Sequence, residues 1–183
     1  MISAHPSQAA DLRPILAQSG LGELPLTWIP AAAVPPPFHQ LLVHQHDMTS
    51  ALESFHGDSI TLTVIASHQS AGAYFREVSL HAATTGAPVE YGLIEILLDA
   101  FPADLRPLIL AGKIPLGAIL NASKLPYRSA PQGFFSVPGE PLGEIFQQSC
   151  GGETLFGRYN HLICAEATCL ARIIEILPPV ARR

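Results

Sequence analysis

Residues 73–98 read AYFREVSLHAATTGAPVEYGLIEILL, and this stretch decides the fold. Residues 73–82 and 89–98 each alternate as a β-strand does, and Thr84-Thr85-Gly86-Ala87 between them has the length and the glycine of a hairpin turn. On the first strand Tyr74, Arg76, Val78 and Leu80 share one face, while Phe75, Glu77, Ser79 and His81 share the other. Arg76 therefore stands on the more apolar face.

Upstream, Ile60, Leu62 and Val64 alternate with Thr61 and Thr63 and predict another half-buried strand. Before it, Asp47 or Thr49 is placed to cap a helix with Met48 and Leu52, and Ala51 and Phe55, four apart, and Gly57 is placed to end it. Downstream, a helix is predicted over 104–111, with Asp104 as cap, Pro107 in the first turn and Gly112 as stop. Pro115-Leu116-Gly117 opens another short turn or helix. Residues 121–139, rich in Ser, Pro and Gly, read as loop with a brief strand at 134–137, and residues 140–148 read as helix. Segments 157–165 and 168–177 form a second hairpin. At least five strands with short connections predict an α+β domain built on a single antiparallel sheet. Residues 1–37 read as an N-terminal helix, capped by Ser7 and carrying Leu12, Ile15 and Leu16, then a Pro-rich connector from Pro30 to Pro37. Residues 38–183 form the main domain.

The chain has 183 residues, enough for one well-buried domain; 48% are hydrophobic and only 14% charged, which excludes a disordered, solvating chain. Ten basic residues, two of them Lys, are scattered under a net charge of −5, so no basic stripe is available for nucleic acid. Cys150, Cys164 and Cys169 form neither a CxxC pair nor a zinc-like cluster, as expected of thiols in a reducing compartment. The first residues show no secretory pattern, and no apolar run approaches the roughly 18 residues of a membrane span. A soluble, cytoplasmic protein without a membrane partner is expected.

Charges on apolar strand faces are the informative residues. Arg76 needs an anion, either a buried acid of the fold or a ligand carboxylate; buried arginine is more often paired internally. Glu175 groups with Ala171, Ile173 and Leu177 on the last strand. It is either a carboxyl raised in pKa by its apolar wall or the internal partner of Arg76 or Arg158. Glu90, beside Ile94 and Ile96, is equally placed to be that partner, and Arg158, beside Leu162 and Cys164, is a core ion pair or an anion contact. His44, His46 and His56 have no zinc spacing, and no nucleophile elbow, dinucleotide or phosphate loop occurs. No metal or organic cofactor is expected.

His46-Asp47-Met48-Thr49 with Leu52-Glu53, Arg76-Glu77-Val78, Gly112 followed by Pro115-Leu116-Gly117, Gly157-Arg158, and Ile174-Glu175-Ile176-Leu177-Pro178 occur in an order and spacing that resemble the chorismate lyase (4-hydroxybenzoate synthase) family over about residues 38–180. The resemblance implies one antiparallel sheet with helical flaps over a buried ligand pocket. It also implies an enzyme that eliminates pyruvate from chorismate to give 4-hydroxybenzoate without a cofactor. Carried onto this chain, it makes Arg76 the grip on the ring carboxylate, assisted by the backbone N–H of Leu116. Glu175 is the acid at the para oxygen, and Met48 is an adaptable wall. Arg158 is the candidate for the second carboxylate. The chain departs from the family at Glu90, an acid on the strand after the arginine, which would repel a dianion or occupy Arg76.

Two other readings stand beside the lyase. One is a non-catalytic small-acid-binding domain on the same sheet, like the effector domains of some transcription regulators. The other is a biosynthetic enzyme of the same fold acting on another carboxylated or polyketide-type substrate. All three expect a small carboxylated molecule as partner and no nucleic acid.

Overall fold

The hairpin of residues 73–98 is the middle of a seven-stranded antiparallel sheet in the computed structural model, which describes residues 12–22, 24–165 and 167–179. The strands are β1 (Thr27–Ile29), β2 (Ile60–Ser70), β3 (Ala73–Ala82), β4 (Pro88–Leu97), β5 (Tyr127–Pro138), β6 (Thr154–Cys164) and β7 (Cys169–Ile176). Their spatial order is β1-β5-β6-β7-β4-β3-β2. Two meanders, β2-β3-β4 and β5-β6-β7, meet where β4 pairs with β7. The α+β class and the single antiparallel sheet are as the alternation predicts.

Among the described residues five α-helices accompany the sheet: α1 (Arg13–Leu16), α2 (Phe38–Leu42), α3 (Met48–His56), α4 (Arg106–Leu110) and α5 (Leu116–Ser123). α3 begins where the carboxylate of Asp47 accepts from the backbone N–H of Ser50 at 2.9 Å, and ends at Gly57 with φ of 64°. α4 starts at Arg106 without a side-chain cap, so Asp104 does not serve as one. Ser7 lies outside the described residues.

Two expectations are revised between residues 121 and 148. Residues 121–139 hold the twelve-residue strand β5, which contains the brief strand expected at 134–137 and extends it back through the expected loop to Tyr127. Its breakers are absorbed locally: the register against β6 shifts between Pro131 and Gly133, and a side chain on Gly133 would meet the Trp28 ring at 2.5 Å. Residues 140–148 form only a 3-10 turn over Glu140–Leu142, because Gly139, Pro141 and Gly143 crowd its start. Before residue 38, β1 pairs with β5, and Leu12, Ile15, Leu16 and Leu24 join the core. That segment adds to the same sheet.

Both faces of the sheet are buried. One packs Phe75, Tyr91, Phe135 and Ile174 against α1 and Phe146. The other carries two separate clusters. α4 and α5 cover Tyr74, Ile94, Ile96 and Ile173, while α2 and α3 cover Leu80, Val89, Phe134 and Leu177. Arg76, Glu90 and Glu175 line the gap between them.

Candidate functional site

The gap is a cavity of about 530 Å3 of empty space, its open mouth included. Met48 and Leu80 from one cluster, and Ile94, Leu116, Leu162 and Ile173 from the other, form its apolar walls. Strand register sets the floor. Arg76 lies opposite Ile94, Val78 opposite Gly92 and Leu80 opposite Glu90, and Gly92 is in turn opposite Glu175. Gly92 supplies the hollow, since a Cβ there would come within 3.0 Å of Val78 and 3.3 Å of a Glu90 carboxyl oxygen.

Arg76 lies on one side of this floor. It is 2% exposed, and no carboxylate pairs with it among the described residues. Its Nη1 donates to the Ile114 carbonyl at 3.5 Å, its guanidinium lies 5.8 Å from the centre of the Tyr74 ring, and its Nε has no hydrogen-bond partner. Burial lowers its pKa below the usual guanidinium range, with Tyr74 acting weakly the other way. Leu116 and Gly117, the first residues of α5, also line the cavity. Gly117 permits this closeness: a Cβ there would meet a carboxylate oxygen of Asp47 at 2.9 Å. The Asn121 amide donates to Asp47 at 3.4 Å and ties α5 to the start of α3.

Glu90 and Glu175 lie on the other side. Glu175 forms an ion pair with Nε of Arg158, the strand neighbour directly opposite it. Arg158 is not on the cavity wall. Its Nη1 donates to the carbonyls of Leu42 at 3.2 Å and His44 at 3.4 Å, and its Nη2 to the carbonyl of His46 at 3.5 Å. Of the pairings open in the sequence, the structure therefore contains Arg158 with Glu175. Glu90 is 3% exposed and pairs with neither arginine, and its Oε2 has no partner. Burial raises its pKa well above the usual carboxylate range, the charge of Glu175 raises it further, and Arg158 opposes them.

Of the residues singled out in the sequence, Arg76, Glu90, Glu175, Met48 and Leu116 line one cavity, and Arg158 stands behind Glu175. Gly92 escaped notice as its floor. A lone glycine inside a strand of large side chains was the available signal. His44 is held in the Arg158 cage, its Nε2 donating to the Leu41 carbonyl at 2.7 Å.

No protein-family model matches the chain, and no curated protein matches it. Solved structures do. PhnF from Mycobacterium smegmatis is similar with a TM-score of 0.56 at 12% identity, over 74% of this chain and 64% of that one. The effector domain of PhnF is similar with a TM-score of 0.56 at 12% identity, over 72% of this chain and 88% of that one. A GntR-family transcriptional regulator from Bacillus cereus has a TM-score of 0.48 at 9% identity, over 68% of this chain and 94% of that one. The chain thus spans less than two thirds of PhnF, and at these identities the likeness is one of fold.

These findings correct the expectation of an enzyme. The sheet is shared, at a TM-score of 0.56, with a structure described as an effector domain. The acid expected to deliver a proton, Glu175, is moreover ion-paired with Arg158. The chorismate lyase resemblance is kept only as a resemblance of fold, and the lyase chemistry is set aside. The exclusion of nucleic acid, read from charge, holds for no more than the lack of a basic stripe in these residues. Among the described residues no helix is long and apolar enough to cross a membrane.

Proposed function

We propose that this domain binds a small organic acid without transforming it, as an effector domain does. One observation carries the reading: Arg76 is buried on the cavity wall, and among the described residues no carboxylate balances it. A guanidinium taken out of water costs several kcal/mol unless an anion compensates, and its planar fork suits a carboxylate in two-point contact. A carboxylate held by Arg76 also lies in the cavity lined by Leu116 and Gly117, the first residues of α5. The apolar walls suit a flat or ring-shaped body, and the aromatic acids expected from the sequence are the first class to test. The cytoplasm, where such metabolites are met, is the location this reading implies.

Calorimetric titration with benzoate and 4-hydroxybenzoate, against benzamide as the neutral isostere, tests it. The acids are expected to bind and the amide is not. Arg76→Met should weaken the acids by about 30-fold or more, the equivalent of losing a buried charge contact of about 2 kcal/mol. Chorismate mixed with the protein should stay unconverted. Equal binding of acid and amide, or an unchanged affinity in Arg76→Met, overturns the reading.

A further inference from the structure

The cavity floor holds two buried polar atoms with no partner, Nε of Arg76 and Oε2 of Glu90. They belong to opposite ends of one stretch of the β3–β4 ladder. Arg76 faces Ile94 and Leu80 faces Glu90, with Gly92 halfway between on β4. Four residues of strand separate the two levels, about 13 Å along the backbone. The side chains span part of that distance: a Glu90 carboxyl oxygen comes within 3.3 Å of where a Cβ on Gly92 would stand, so the carboxyl folds over the glycine hollow. Arg76 and Glu90 thus face the same cavity from two levels of the ladder.

The charges in the enclosure are arranged just as unevenly. Arg76 is the basic residue on the wall, and Asp47, Glu90 and Glu175 are the acidic ones. Asp47 is occupied as the cap of α3, and Glu175 is occupied by Arg158, which faces it from β6. Arg76 and Glu90 are left over, one seeking an anion and the other a donor. A dianion would answer the first and be repelled at the second. A ligand hydroxyl would satisfy Oε2 but would not relieve the repulsion between Glu90 and Glu175. A cation does both. In the empty cavity a proton on Glu90 does that work, as expected of a carboxyl raised by burial and by the charge of Glu175.

We propose that the ligand is a zwitterion of about the size of one substituted ring, its carboxylate held by Arg76 and its protonated amine held between Glu90 and Glu175. This rests on the acid-binding reading above and narrows it. On binding, the Glu90 O–H releases its proton to solvent, and the ligand ammonium takes over the neutralisation.

Titrating the whole chain at pH 7 with 4-(aminomethyl)benzoate and its meta isomer, 4-(hydroxymethyl)benzoate and 4-methylbenzoate separates the cases. One aminomethyl isomer is expected to bind at least about tenfold more tightly than the other two acids. Repeated in two buffers of different ionisation enthalpy, its binding should release more protons than the binding of 4-methylbenzoate does. Glu90→Gln should bring the amine down to the level of 4-methylbenzoate and leave the latter's affinity in place. Similar affinity for all the acids, a preference for the hydroxymethyl compound, or amine binding that releases no more protons than that of 4-methylbenzoate overturns the inference while leaving the acid-binding reading standing. Failure of every acid to bind removes both. The proton count is taken on the unaltered chain, so the test does not depend on the variant folding.

Discussion

Arg158 and Arg76 stand on the same face of the sheet with 0% and 2% of their surface exposed, and they differ in what surrounds them. Arg158 has Glu175 across the strand and the carbonyls of Leu42, His44 and His46 above it. It joins β7, through β6, to the segment that leads into α3. Arg76 has one long hydrogen bond to the Ile114 carbonyl and an aromatic ring nearby. Burial alone does not mark a binding residue. A buried charge whose hydrogen bonds are filled within the protein holds the fold together, and one left unfilled beside a cavity is available to a ligand.

The sharpest way to break this contrast is Arg158→Met. The substitution leaves Glu175 buried without a counter-charge and frees three carbonyls, so unfolding by urea should show a loss of about 3–5 kcal/mol. The double variant Arg158→Met/Glu175→Leu should recover much of it, because an apolar pair of similar volume needs no compensation. A single variant as stable as the original protein would show that the ion pair is no structural clasp, and Arg158 would then rejoin the candidates for ligand contact.

Much of this contrast was legible in the sequence, and the reason is periodicity. Alternation alone put Arg76 with Val78 and Leu80, Glu90 with Ile94, Glu175 with Ile173, and Arg158 with Leu162, and in the structure these share one side of the sheet. Which charge meets which was not legible. That depends on register between strands far apart in sequence, such as β4 with β7, and no local pattern encodes it. Only residues 134–137 of β5 are legible as a strand, because Pro131 and Gly133 read as a break in the chain, whereas a register shift accommodates both. Glu77 was grouped with the more polar face, yet it is 3% exposed and accepts from the Tyr91 hydroxyl at 2.7 Å and the Gly20 N–H at 3.0 Å. Alternation shows which residues share a face but not that the second face is covered too.

A smaller effect sharpens the Arg158 side of the comparison. Burial first, and Arg158 second, depress the pKa of His44 from 6.5 to about 4. The folded protein therefore binds fewer protons here than the unfolded chain, and the stabilisation is complete above pH 6.5 and lost as pH falls through the window towards 4. The side chain is partly open to solvent, which limits the loss to about 2 kcal/mol. Glu90 acts in the opposite sense, its raised pKa costing stability as pH rises above the ordinary carboxylate range. The difference between the original protein and His44→Gln across pH 4–7 isolates the histidine. Parallel stability curves for the two proteins would show that His44 is not held neutral by the cage.

The smallest expected change has the opposite sign, and it decides whether the two arginines really differ. In the empty protein Arg76→Met removes a guanidinium that has been stripped of water without an ion-pair partner and replaces it with an apolar chain of similar reach. Little is lost, since the bond to Ile114 is long, and a desolvation cost is relieved. Stability should rise by about 1 kcal/mol, seen as an increase of about 2–4 °C in Tm. Benzoate should then raise the Tm of the original protein and leave that of Arg76→Met where it was, because a ligand stabilises only the state it binds. A fall in stability as large as that of Arg158→Met would mean that Arg76 is also a filled structural charge, its partner found only when the protein moves, and the cavity would lose the residue that gives it an anion to hold.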